Sequence, residues 1–94
     1  MNKSDLLRAV AAKTGLGAKD TEAVVDAFLD VVALSLTLDE DVSVRNFGKF
    51  EVRHHNAVIR RNPKTGERID VPAKRAVGFK PSPRLKGRVN GQPA

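Results

Sequence analysis

The residues best suited to bind another molecule lie in one short basic segment, residues 60–66. Three cations and a proline–glycine turn occupy this segment, namely Arg60, Arg61, Pro63, Lys64 and Gly66. The stretches on either side, residues 52–59 and 67–71, predict two strands, so the segment is expected at the tip of a long β-hairpin. Because such a tip has no hydrophobic core of its own, its charge indicates an anionic partner.

Charge is divided unevenly along the 94-residue chain, whose formal net charge is +6. Residues 1–51 carry six basic and nine acidic side chains, a net charge of −3. Residues 52–94 carry eleven basic and two acidic side chains, a net charge of +9. So steep a division within one small domain favours an electropositive surface and a polyanionic partner, the alternative being a basic surface that is merely solvated.

The composition also argues against several classes of protein. The chain has no cysteine, which excludes disulfides and thiolate metal sites. It has no apolar run long enough to cross a membrane, and its N-terminus opens into a helical pattern, which predicts a cytoplasmic protein. His54 and His55 are neighbours on a predicted strand and point to opposite faces, so they are poor joint metal ligands, although their titration could affect binding.

The first half of the chain predicts two helices. Asn2 and Asp5 form the pattern of a capping box at the start of the first helix, and Gly15 suits its end. The second helix is predicted over about residues 18–38 and is apolar around well over half of its circumference, whereas a surface helix needs a stripe only about 100° wide. An intertwined dimer with a shared core is therefore expected, the alternative being the central helix of a monomer.

The second half predicts a three-stranded antiparallel sheet and a short C-terminal helix. Asp39 is expected to turn the chain after the second helix, and two short strands are expected on either side of Asn46 and Gly48. Phe47 and Phe50 are assigned to the core rather than to stacking on bases. Residues 76–79 are predicted to return from the arm as the third strand.

The C-terminal helix is predicted to start at Ser82, with Pro83 in its first position. Leu85 and Val89 are expected to pack inward. The fold class is therefore α+β. The predicted organisation is a single domain at residues 1–90, with the arm at about 53–75, and a flexible tail at 91–94.

Three motifs resemble the bacterial histone-like HU and integration host factor family. They are NFGKFEVR at residues 46–53, RNPKTGERIDVP at 61–72 and FKPSPRLK at 79–86. The resemblance covers nearly the whole chain, from Asn2 to about Asn90, and is stronger to HU. It implies a dimer whose arms enter the minor groove of double-stranded DNA and kink it by inserting a proline, a mode for which this family is a standard example.

The resemblance also implies roles for individual residues. Pro63 matches the intercalating proline, with Arg61 and Asn62 as its minor-groove neighbours. Residues that match phosphate-facing arm positions are Arg53, Lys64, Arg68, Lys74 and Arg75. Residues that match positions where the body touches flanking DNA are Lys3, Lys80, Arg84 and Lys86. Arg60 and Asn46 stand where the family usually has glycine; Arg60 adds charge beside the tip, and Asn46 tolerates the same backbone geometry.

The sequence thus predicts an architectural DNA-binding protein of the nucleoid, largely non-specific in sequence, which bends and compacts DNA as a homodimer. Two alternatives stay open. One is a sequence-selective subunit like integration host factor, possible in a heterodimer, and the other is a basic RNA-binding protein. The chain has no nucleotide-binding glycine loop and no Ser–His–acid arrangement, so neither an enzyme nor a cofactor is expected. A metal ion, a small-molecule substrate and a membrane are not expected partners either.

Overall fold

The computed structural model describes residues 1–91, so most of the predicted tail, residues 92–94, lies outside the described residues. The helices are α1 (Lys3–Thr14), α2 (Ala18–Thr37) and α3 (Pro83–Val89). The strands are β1 (Val42–Val44), β2 (Gly48–His55), β3 (Val58–Arg61), β4 (Arg68–Val71) and β5 (Lys74–Pro81). The predicted α+β class and the order of its elements are confirmed. The chain forms two compact units, one over Met1–Ser35 and one from Leu36 onward.

In the first unit, local capping fixes both ends of α1. The Asp5 amide donates to Asn2 Oδ1 at 2.9 Å, and the Asn2 amide donates to Asp5 Oδ2 at 3.2 Å. At the other end, Gly15 adopts a left-handed φ of 76° and its amide donates to the Ala11 carbonyl. The predicted capping box and glycine cap are both confirmed, because each depends only on residues close in sequence.

The apolar surface predicted for α2 is present and uncovered in the single chain. Within residues 1–91 no hydrophobic side chain is fully buried. The large apolar side chains of α2 that remain exposed are Val24, Phe28, Leu29, Val31 and Leu34. Three of them are about 60% exposed, with values of 61% for Val24, 63% for Val31 and 61% for Leu34. A surface this apolar requires a further protein surface to cover it.

In the second unit, β2 lies between β1 and β5 in an antiparallel sheet. Asn46 takes a φ of 63° in the β1–β2 turn, as predicted for a residue in a glycine-like position. The second strand begins at Gly48, which is buried. A Cβ atom on Gly48 would lie 2.6 Å from the Phe79 ring and 2.8 Å from the Lys80 carbonyl, so only glycine fits there.

Two residues assigned to the core remain exposed in the single chain. Phe47 contacts Phe79, with ring centroids 5.5 Å apart, yet is 44% exposed. Val89, near the end of α3, is 78% exposed and does not pack inward, because nothing in the described chain covers that side of the seven-residue helix. The cap of α3 is as predicted, with Ser82 Oγ accepting from the Leu85 amide at 3.1 Å.

The arm is interrupted, whereas the sequence predicted one continuous strand from Val52 to Ile59. Pairing between β2 and β5 ends at His55 and Lys74, and pairing between β3 and β4 begins at Val58 and Val71. Residues 56–57 and 72–73 lie between the two ladders. Pro72 has no N–H to donate, which accounts for the loss of pairing on one strand. The arm therefore consists of the end of the sheet and a separate outer ribbon, β3 with β4.

Candidate nucleic-acid interface

The three-stranded sheet has one apolar and one basic face, because cross-strand partners share a face and neighbours alternate. The apolar face carries Val42, Val44, Phe50, Val52, Val77 and Phe79. The opposite face, called the basic face below, carries Lys49, Arg53, Lys74 and Lys80 together with Glu51 and His55. The predicted site residues Arg53, Lys74 and Lys80 are thus on one surface. Lys49 was missed, although its period-two spacing from Arg53 places it there.

On the basic face, two neighbours orient the Arg53 side chain: the Glu51 carboxylate, and Gly78, which has no side chain. Its Nε donates to Glu51 Oε1 at 3.0 Å, and its Nη2 lies 3.0 Å from the same oxygen. Gly78 pairs with Glu51 across the strands, and a Cβ on Gly78 would lie 2.6 Å from the Arg53 guanidinium. The glycine therefore leaves the space that Arg53 occupies. Since exposed ion pairs contribute only about 0–1 kcal/mol, an anionic ligand can compete with Glu51 for this arginine.

The two lysines among the predicted residues of the basic face are accessible to a ligand. Lys74 and Lys80 are exposed and make no ion pair within residues 1–91. Lys49, by contrast, has its Nζ 3.4 Å from Asp41 Oδ2 and 3.9 Å from Glu51 Oε2.

Arg75 differs from its neighbour Lys74, because it lies on the apolar side of the sheet opposite His54. Its Nη1 donates to the Thr37 carbonyl at 3.0 Å and lies 3.1 Å from Asp39 Oδ1. The structure therefore does not bring Arg75 together with the basic face.

Arginines lie on both faces of the outer ribbon. Arg61 is paired directly with Arg68, and Arg60 is paired with Ile69 on the other face. Arg61 Nη1 donates to the Gly66 carbonyl at 3.3 Å, and Arg68 Nε donates to Asp70 Oδ1 at 3.1 Å. Arg60 is exposed and makes no ion pair among the described residues. Because like charges placed opposite each other repel, the Arg61–Arg68 pair favours binding of an anion.

At the tip, a compact turn closed by hydrogen bonds contains Pro63. The Asn62 amide donates to the Glu67 carbonyl at 2.9 Å, and the Gly66 amide donates to the Asn62 carbonyl at 2.7 Å. Asn62 Oδ1 accepts from the Lys64 amide at 2.9 Å, which closes an Asx turn around the proline. Pro63 is exposed, so it presents a rigid apolar wedge between residues that can donate hydrogen bonds.

The remaining predicted residues lie on helices. Lys3 Nζ is 2.6 Å from Asp26 Oδ1, and this hydrogen bond, with the charge of Asp26, raises the pKa of Lys3 above its ordinary value. Arg84 and Lys86 are exposed on α3, and neither makes an ion pair in the part of the chain that the structure describes. Lys3 belongs to the first unit and the α3 cations to the second.

The described residues also bear on other kinds of site. Between residues 1 and 91, no group of three His, Cys, Asp or Glu side chains is arranged to hold a metal ion. In the same residues, no helix is both long and apolar enough to span a membrane.

The fold and the candidate interface define a small α+β protein with a cationic β-ribbon arm and an apolar surface that a single chain leaves open. The chain belongs to the bacterial DNA-binding protein family, whose model matches residues 1–90. The resemblance to HU proteins is thereby confirmed.

Individual relatives match over nearly their full length. The chain is 44% identical over 91 residues to DNA-binding protein HRL53 of Rhizobium leguminosarum, covering 97% of this chain and 100% of the relative. It is 43% identical over 89 residues to DNA-binding protein HU of Geobacillus stearothermophilus, covering 95% of this chain and 99% of the relative. An Anabaena HU–DNA cocrystal structure matches with a TM-score of 0.83 at 35% identity, covering 95% and 97%. HU from Thermotoga maritima matches with a TM-score of 0.67 at 28% identity, covering 95% and 98%.

Proposed function

We propose that this protein is a dimeric architectural protein that binds double-stranded DNA with little sequence preference and bends it. The observation that carries the proposal is the arm tip, where an exposed Pro63 stands beyond the paired arginines Arg61 and Arg68. An apolar wedge inserted between base steps unstacks them and kinks the duplex, while flanking cations bind the minor groove. The similarity to a chain crystallised as an HU–DNA complex supports the same partner.

The dimer follows from the uncovered apolar surface. A 94-residue chain without one fully buried hydrophobic side chain among its described residues cannot offset the entropy of folding by itself. Pairing of two identical chains covers the exposed apolar side chains of α2. Because the family model spans both compact units, we also propose that residues 1–90 act as one domain.

In the bound complex, basic residues are assigned by position. Arg53, Lys74 and Lys80 bind phosphates from the basic face. Arg61, Asn62 and Pro63 enter the minor groove. The other arm cations, Arg60, Lys64 and Arg68, and the helix cations, Lys3, Arg84 and Lys86, bind flanking phosphates. Phosphate contacts supply affinity and register but little sequence information, which accords with non-specific binding and a place in the nucleoid of the cytoplasm.

A bending assay tests this function. A duplex carrying donor and acceptor fluorophores at its ends should show increased energy transfer when the purified protein binds, with a larger increase on a nicked or mismatched duplex, where deformation costs less. Structured RNA of the same length serves as competitor. Equal competition by RNA and no change in transfer would favour an RNA-binding protein instead. Affinities over random duplexes that spread well beyond tenfold would favour a sequence-selective protein.

A further inference from the structure

Arg75 is set apart from the other arm cations by its place on the sheet. It directly follows Lys74, but strand alternation directs the two side chains to opposite faces. Lys74 lies with Arg53 and Lys80 on the basic face, whereas Arg75 lies with His54 on the side of Val77 and Phe79. A duplex held on the basic face is therefore on the wrong side of the sheet for Arg75.

The partners of Arg75 are the last residue of α2 and the turn that follows it. The final carbonyls of a helix lack partners and carry partial negative charge, which a cation stabilises. The last turn of α2 contains no basic residue of its own. Arg75 supplies one from β5, since its Nη1 donates to the Thr37 carbonyl at 3.0 Å. It also pairs with Asp39, whose left-handed φ of 60° ends the helix.

His54, the cross-strand partner of Arg75, contacts the same carboxylate. Its Nε2 lies 3.4 Å from Asp39 Oδ1, so both strands of the sheet reach one acidic group. The pair that follows, His55 with Lys74, is the last pair before the ladder is interrupted. Asp39 and the Thr37 carbonyl are therefore contacted by the residue pair that lies one pair before the end of the β2–β5 ladder.

We propose that Arg75 is a positioning residue and does not bind a DNA phosphate. Together with Asp39 and His54 it forms a cluster, called the root below, that orders the base of the arm. The inference rests on the proposed function for its DNA readouts. Without the root, the last pairs of β2 and β5 gain freedom in the unbound protein. DNA binding then has to order them again, which weakens affinity by a similar factor at every salt concentration.

Neighbouring charge removals, Arg75→Gln and Lys74→Gln, separate positioning from phosphate binding. Lys74→Gln should make the slope of log affinity against log salt shallower by about 0.9 for each phosphate that is no longer neutralised. Arg75→Gln should leave that slope unchanged and weaken binding by about two- to fivefold, the range that exposed charge pairs support. A slope reduced as much by Arg75→Gln as by Lys74→Gln would overturn the proposal.

Two further variants test the partners. Asp39→Asn should weaken binding as Arg75→Gln does, and the double variant should be no weaker than either single one, because both changes break the same ion pair. Fully additive losses would contradict a shared root. Arg75→Lys keeps the charge but replaces the planar guanidinium by a more strongly hydrated ammonium on a differently shaped side chain, so its affinity should fall between wild type and Arg75→Gln without a change in the salt slope. A changed slope would count against the proposal.

Hydrogen exchange on the DNA-free protein measures how well the root orders the base of the arm, independently of DNA binding. Amides of His54 and Arg75 should exchange faster in Arg75→Gln and Asp39→Asn than in wild type, and at the wild-type rate in Lys74→Gln. An unchanged exchange rate in Arg75→Gln would contradict the proposal that Arg75 orders the base of the arm. If instead the wild-type protein neither binds nor bends DNA while exchange responds as expected, the proposed function fails and the root stands.

Discussion

At the scale of single residues, the tip separates two properties that DNA binding needs. In the proposed complex, cations supply affinity through phosphates, whereas the exposed ring of Pro63 supplies the deformation of the duplex. The turn that carries the proline is closed by Asn62 and Gly66, and Pro63 donates no hydrogen bond to it. The wedge can therefore be removed without opening the turn.

We expect Pro63→Ala to reduce the bend much more than the affinity. The smaller side chain cannot hold two neighbouring base pairs apart, but every phosphate contact remains. Energy transfer across an end-labelled duplex at saturating protein measures the bend, and anisotropy measures the affinity. Pro83→Ala, which changes a proline at the start of α3, is the control and should leave the bend as in wild type. A Pro63→Ala complex as bent as wild type would show that the proline is only a turn residue.

At the scale of elements, the two glycines of the sheet that face neighbouring strands should respond differently to alanine. Gly48→Ala meets the Lys80 backbone carbonyl at 2.8 Å, which cannot move without disturbing the β2–β5 ladder. Gly78→Ala meets the end of the Arg53 side chain, which can rotate away. We expect a loss of about 1–3 kcal/mol in unfolding free energy for Gly48→Ala, the usual cost of overpacking, and a much smaller loss for Gly78→Ala. Chemical denaturation followed by circular dichroism measures both, and equal losses would contradict this account.

The elements also differ in how well the sequence predicted them. The caps of α1, the left-handed Asn46 and the start of α3 depend on residues within four positions, and each was predicted correctly. The interruption of the arm was not predicted, although Pro72, which has no N–H to donate, marks its position on one strand. Residues 56–57 on the other strand carry no proline, so the sequence favoured a continuous strand there. The place of Arg75 was missed because the register between β2 and β5 decides which face each basic residue occupies. Charge alone indicated the candidate interface but not which face of the sheet each basic residue occupies.

At the scale of the whole molecule, we expect the folded state to be stable only as a dimer. Leu34 is 61% exposed in the single chain, so Leu34→Glu places a charge on the surface that a partner is proposed to cover. We expect this variant to lose helical circular dichroism at micromolar concentration, while the wild-type melting temperature rises with protein concentration. Ser4→Glu adds the same charge in the first turn of α1, where the helix dipole favours it, and should keep the dimer. A folded, monomeric Leu34→Glu protein in sedimentation would argue against an obligate dimer.

The uneven charge of the chain leads to a prediction for the complete complex. The net charge is +9 in residues 52–94 and −3 in residues 1–51. We therefore expect the basic half to supply most of the phosphate contacts. Each phosphate neutralised releases condensed counterions and contributes about −0.9 to the slope of log affinity against log salt. Since two chains act together, we expect a steep slope, measured by anisotropy between low and physiological salt.

Variants from the two halves show where that slope originates. Lys80→Gln removes an unpaired cation of the basic face, and Lys13→Gln, on α1, removes one that no proposed contact uses. Only Lys80→Gln should make the slope shallower, because only its charge displaces counterions from DNA. Equal changes in the two variants would mean that net charge rather than the basic face attracts the duplex. A flat response in the wild type would contradict an electrostatic origin of the affinity altogether.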